Sequence, residues 1–183
     1  MRLGRALIVG ATLSLWACVL YPTSRTFYEP NVADGKPVNR ASCGYMTTHD
    51  SLERDIGGAV VTISPSEESQ ASSPGMLLHV YISIQSAPGA IAVDPTLIQL
   101  QTPLHGTPIA GNVLSHATDG PRPGWPYDTH RIDIDYPGSA ETEISLVFQS
   151  GAVVSRSGAD MHVEPFRFRR VTKKDMYYGS VNC

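Results

Sequence analysis

The stretch Leu78-His79-Val80-Tyr81-Ile82-Ser83-Ile84-Gln85 decides the fold. Successive side chains in a strand point to opposite faces, so Leu78, Val80, Ile82 and Ile84 share one face. His79, Tyr81, Ser83 and Gln85 share the other. A period of two with β-branched residues on the apolar face predicts a half-buried strand. Ala87-Pro88-Gly89 is turn chemistry and ends it.

Working outward, the same alternation recurs. Arg131 to Tyr136 puts Ile132, Ile134 and Tyr136 inside, and Glu143 to Gln149 does so with Ile144, Leu146 and Phe148. Leu97 to Gln101 sets Ile98 and Leu100 against Leu97, Gln99 and Gln101. Met161 to Arg170 sets Phe166 and Phe168 against Arg167 and Arg169, with Pro165 marking an edge or a bulge. Ala59 to Ile63 reads as a strand stopped by Ser64-Pro65. Phe27 to Pro30 reads as a first edge strand, because Pro30 has no N–H to give a central ladder. Tyr177 to Cys183 is a candidate closing run.

The connections are expected to be loops at 31–37, with Asp34-Gly35 as the tightest turn, at 64–75, and through most of 102–128. Met46 to Asp55 stays open. Asp50-Ser51-Leu52-Glu53 has capping-box spacing for a short helix, and the same residues suit an extended lead into the next strand. At least six alternating runs without a long helix predict an all-β chain, an antiparallel β-sandwich of immunoglobulin-like architecture. A small β-barrel is the alternative. The Cys…Trp…Cys spacing of antibody domains is missing, so the likeness is architectural only.

The 183 residues are 42% hydrophobic and 17% charged, with a formal net charge of −3. That is enough chain to bury the core of one domain. Losing Arg2 and Arg5 with a leader would make the domain more acidic still. An acidic domain has no general attraction for nucleic acid. The basic run Arg167, Arg169, Arg170, Lys173 and Lys174 reads as a solvated strand and turn. No repeat recurs at a fixed period.

The N-terminus has a distinct order. Arg2 and Arg5 form a positive segment, Ala6 to Leu15 is apolar, and Leu15-Trp16-Ala17-Cys18 follows. The apolar run is too short to span a bilayer, which takes about 20 residues. It has the length of a signal-peptide core. The Leu-x-Ala-Cys ending resembles the lipobox of bacterial lipoproteins, although Trp16 is bulkier than the residues usual between Leu and Ala. The resemblance covers residues 1–18 only. It implies a signal peptide over residues 1–17 that is cut before Cys18, with Cys18 then carrying acyl chains. It also implies a membrane partner, through a lipid anchor facing the periplasm. Val19 rather than Asp follows Cys18, which in that class points to the outer membrane where the cell has one. Cleavage without lipidation, giving a soluble periplasmic or secreted protein, is the alternative.

Once Cys18 is acylated, Cys43 and Cys183 remain as an even pair in an oxidising compartment. A bridge between them would close a loop of about 140 residues, for which the chain-entropy model gives about 5 kcal/mol. Two unpaired buried thiols are the alternative. The expected layout is residues 18–42 as lipidated N-terminus, linker and leading segment, and 43–183 as one sandwich domain.

The candidates for chemistry are sparse. Asp133 and Asp135 share a strand face with Glu141 and Glu143 nearby, which reads either as a calcium or acid–base site or as a solvated face opposed by Arg167 and Arg169. His49, His79, His105, His116, His130 and His162 show no local metal-ligand spacing, although His105, His116 and His130 flank the loop-rich stretch. No nucleophile elbow or phosphate-binding glycine loop is present. Arg122, Trp125 and Tyr127 form a Pro-rich aromatic loop, read either as a contact surface for protein or glycan or as a loop packed on its own domain.

The expectation is a non-enzymatic, exported binding or accessory module with no cofactor. A secreted inhibitor or binding protein of an envelope or host target, and an exported hydrolase or metal protein, are the alternatives.

Overall fold

A computed structural model describes residues 19–39, 49–69, 76–137 and 141–179. Among them run thirteen strands. In chain order these are β1 (Val19–Pro30), β2 (Lys36–Val38), β3 (Ser51–Asp55), β4 (Val60–Ser69), β5 (Met76–Ser86), β6 (Ile91–Val93), β7 (Ile98–Thr102), β8 (His105–Ala110), β9 (Asn112–Asp119), β10 (Asp128–Pro137), β11 (Glu143–Phe148), β12 (Val153–Ser155) and β13 (Phe166–Gly179). They build a five-stranded sheet ordered β1-β13-β11-β7-β8 and a six-stranded sheet ordered β2-β3-β4-β5-β10-β9. A small ribbon pairs β12 with β6. All ladders are antiparallel. The chain is all-β, and its sheets do not close into a barrel.

The alternating apolar residues explain the layering. Leu78, Val80, Ile82 and Ile84 of β5 are fully buried, with Ile132, Ile134 and Tyr136 of β10 beside them. Opposite lie Ile98, Leu100, Ile144, Leu146, Phe166 and Phe168 of the five-stranded sheet, all within one core. Each such side chain contributes about 1.5–3 kcal/mol by leaving water. Polar side chains also join the layers. Tyr136 donates its hydroxyl to the Ile98 carbonyl at 3.0 Å. Arg170 of β13 makes a two-pronged ion pair with Glu67 of β4. Tyr28 donates to the Glu141 carbonyl at 3.2 Å. Burial, reinforced by the Glu67 carboxylate, pushes its phenol up to about 12.

Several connections differ from expectation. β4 does not stop at Ser64-Pro65 but runs to Ser69, paired with β5 throughout. Its other neighbour, β3, ends its pairing at Ile63, so Pro65 sits where one edge is already open and a missing N–H costs little. Residues 19–26 are strand rather than linker, because β1 pairs with β13 along its whole length. Ser51 to Glu53 are extended rather than helical and already belong to strand β3, with Leu52 fully buried. Lys36 and Pro37, expected as the end of a loop, belong to strand β2. Residues 105–110 and 112–119, expected as loop, are the edge strands β8 and β9. The run at 161–170 becomes strand only after Pro165.

The chain crosses between the two sheets at both lateral edges. At one edge β8 passes into β9 through Gly111. A Cβ on Gly111 would lie 2.2 Å from Ile134 Cγ2 and 2.7 Å from Tyr136 Cε1, so the corner closes only on a glycine. At the other edge β1 reaches β2 through a single 3-10 turn over Val32–Asp34. The Asn31 side chain caps that turn by accepting from Ala33 N at 3.1 Å. Asp34, nearly buried, accepts from the Arg167 guanidinium and from Arg167 N at 3.0 Å. The Arg167 guanidinium holds the Asp34 carboxyl below the usual aspartate range.

Candidate functional site

The aromatic loop lies between β9 and β10. Arg122 N donates to Trp125 O at 2.9 Å, and Trp125 N donates back to Arg122 O at 2.8 Å. Pro123 and Gly124, the latter at φ +78°, occupy the central positions of this turn, the pattern of a type II turn. Trp125 Nε1 donates to Thr129 Oγ1 at 3.1 Å, which fixes the indole on β10. The Tyr127 ring meets it edge-on, with centroids 5.8 Å apart at 80°. Trp125 is 38% exposed and Tyr127 45%, so the pair is oriented yet faces solvent. Arg122 is exposed and has no ion pair among the described residues.

A second surface lies on the outer face of the five-stranded sheet. A trough of about 740 Å³ has Glu29, Glu143, Arg167 and Arg169 among its lining. A neighbouring hollow of about 840 Å³ shares Gln101, Ser145 and Arg167 with it and reaches Arg54 and His162. Glu29 is held below the usual glutamate range, first by its hydrogen bond from Lys173. Arg169 reaches Glu29 at 3.4 Å and stays 65% exposed. The floor therefore alternates charge and suits polar ligands with both donors and acceptors.

The third cluster was only half legible. Asp133 and Asp135 do share a strand face, but they lie on β10 of the six-stranded sheet. Arg167 and Arg169 lie on the other sheet, so they do not oppose the two aspartates as expected. The aspartates flank His79 instead, which β5 brings alongside. His79 Nδ1 lies 2.8 Å from Asp135 Oδ1, and Nε2 lies 3.3 Å from Asp133 Oδ1. Ser115 of β9 donates to Asp133 Oδ2 at 2.6 Å. The order is Ser–Asp–His–Asp, so no histidine nitrogen meets the serine hydroxyl, as an activated nucleophile requires. What the cluster does is tie β9, β10 and β5 together across the sheet. The sequence signal was the outward position of all three ionisable residues on alternating strands; the missing information was register.

The other histidines divide. His116 and His130 approach each other, with ring centroids 5.7 Å apart. Burial, with His116 adding to it, pushes the His130 imidazole below its usual range. His105 is on the other sheet, near Thr102 Oγ1 at 3.1 Å and Glu141 Oε1 at 3.7 Å. His162 pairs with Glu164 at 2.9 Å in the open, and His49 is exposed. Glu143 lines the trough while Glu141 is buried. Among the described residues no group of three or more His, Cys, Asp or Glu is placed to hold a metal ion. Cys18, Cys43 and Cys183 lie outside the described residues, as does segment 1–17, expected as a signal peptide. No helix among the described residues is long and apolar enough to cross a membrane. Compared with family models, curated proteins and solved structures, the chain matches none.

Proposed function

We propose that this chain is an exported cell-envelope lipoprotein, anchored through acylated Cys18, whose β-sandwich is a non-enzymatic binding or accessory module. The observation that carries the binding reading is the Trp125–Tyr127 pair, held on a pinned turn yet exposed to solvent. Rigid aromatic side chains lose little conformational freedom on contact, and they dominate the energetics of protein interfaces. The lipobox-like ending at Cys18 carries the address. In keeping with it, Val19 lies beside Gly179 at the end of β1 opposite the one from which the chain crosses to β2. The Cys43–Cys183 bridge belongs to the same proposal.

The anchor is tested by Cys18→Ser, which should move the protein from the membrane to the soluble fraction; continued membrane association sinks the lipoprotein reading. Intact mass without reductant should show Cys43 and Cys183 inert to alkylation. The contact loop is tested in intact cells with a photo-crosslinking phenylalanine analogue in place of Tyr127. Discrete adducts are expected, weakened by Trp125→Ala, and their absence removes the loop as a contact surface. A second reading, a groove for a polar small ligand, is favoured by the alternating charges Glu29, Arg169 and Glu143 across the trough floor.

A further inference from the structure

Edge strands present unpaired backbone groups, and proteins commonly blunt them with proline, charge, brevity or a bulge. The four terminal strands of the two main sheets are unequal as edges. β1 carries Pro22 and Pro30, β2 has three residues and holds Pro37, and β8 holds Pro108. β9 has eight residues and no proline, lysine or arginine. Its one carboxylate, Asp119, is engaged by Arg131 at 2.7 Å. A bulge leaves Leu114 out of register, but Ser115 to Asp119 pairs with β10 without a break. No backbone hydrogen bond reaches β9 from outside β10 among the described residues.

We propose that the Ser115–Asp119 edge of β9 pairs antiparallel with the same edge of a second copy of this chain. The two six-stranded sheets would thereby join across a two-fold axis. This rests on the aromatic loop being a contact surface, and it names the partner. Leu114, 52% exposed, stands at one end of the open run. Trp125 stands at the other, fixed on Thr129, whose register partner is Asp119. Antiparallel pairing places the Leu114 end of each copy beside the Trp125 end of its partner. Two exposed apolar groups are thus covered twice, once on each side of the axis, as an isologous interface requires. No like charges meet along the run.

The experiment is sedimentation equilibrium of the full chain in mild detergent, combined with the crosslinker at position 127. The expected result is a concentration-dependent dimer and an adduct of twice the chain mass. Leu114→Lys puts a charge at each end of the joint and should weaken dimerisation at least about tenfold, since misplaced charge at an interface costs over a kcal/mol. Leu104→Lys, at the other strongly exposed leucine, should leave the dimer unchanged. Circular dichroism identical to wild type shows that both variants fold. Adducts only to other proteins would overturn the second-copy partner while leaving the contact loop standing. The absence of any adduct would overturn both. A monomer at every concentration, or a dimer equally weakened by Leu104→Lys, would overturn the β9 joint.

Discussion

β5 and β9 are both partners of β10, one on each side, yet they are held in opposite ways. β5 buries Leu78, Val80, Ile82 and Ile84 completely and is paired on both edges. β9 half-buries Val113 and little else, and is paired on one edge. β5 is a strand because its own side chains need a core. β9 is a strand because β10 supplies hydrogen bonds, Ser115 and Thr118 reach Asp133 and His130, and Gly111 fixes where the chain turns. A strand can therefore be specified from within or by its neighbour.

The largest test of that contrast is Ile82→Ala. It removes a fully buried side chain and should cost about 3 kcal/mol, within the 2–5 seen for such truncations, read as a loss of denaturation midpoint at unchanged m-value. Gly111→Ala comes next. The added methyl must displace Ile134 and Tyr136, so a loss of about 1–3 kcal/mol is expected. A neutral outcome would mean that the corner yields and does not set β9.

The opposite corner also needs its glycine, since a Cβ on Gly35 would lie 2.5 Å from Glu53 O. It adds the ion pair of buried Asp34 with Arg167, so it should respond to pH where the Gly111 corner does not. The folded state depresses the Asp34 pKa, so its stabilising contribution is complete above the unfolded value, about 4. It is lost as pH falls through the lower folded value. Asp34→Asn should therefore cost about 1–2 kcal/mol at pH 7. The gap to wild type should narrow steadily below about pH 4. A gap independent of pH would show that the corner depends on packing alone. Smallest of all, Val113→Ala in β9 should cost about 1 kcal/mol or less, because the side chain is only partly buried. A loss as large as that of Ile82→Ala would collapse the distinction between the two strands.

The same contrast explains what could be read from the sequence. Runs that bury their own alternation, around Leu78, Ile132, Ile144 and Ile98, announced themselves, and with them the all-β class. β8 and β9 lack such alternation, so Thr107, Ser115 and Ala117 looked like loop. Pro65 looked like a stop because a sequence does not show that β3 has already ended beside it. The His79 cluster and the Asp34–Arg167 pair join residues far apart in the chain. Their residue types were visible, but their partners depend on register, which composition and spacing do not carry. The aromatic loop was visible from its prolines and rings, whereas its exposure depended on Thr129 holding the indole outward.

The pairing of β1 with β13 has a consequence in time. The first strand of the fold takes the last as its partner, so the five-stranded sheet cannot be completed until Gly179 has been synthesised. At ordinary elongation rates that delay is on the order of ten seconds. Throughout it β1 has no ladder to join, and long-range pairing of this kind is slow even afterwards. The six-stranded sheet, whose strands all end by Pro137, has no such wait, so the two layers of the sandwich become available at different times.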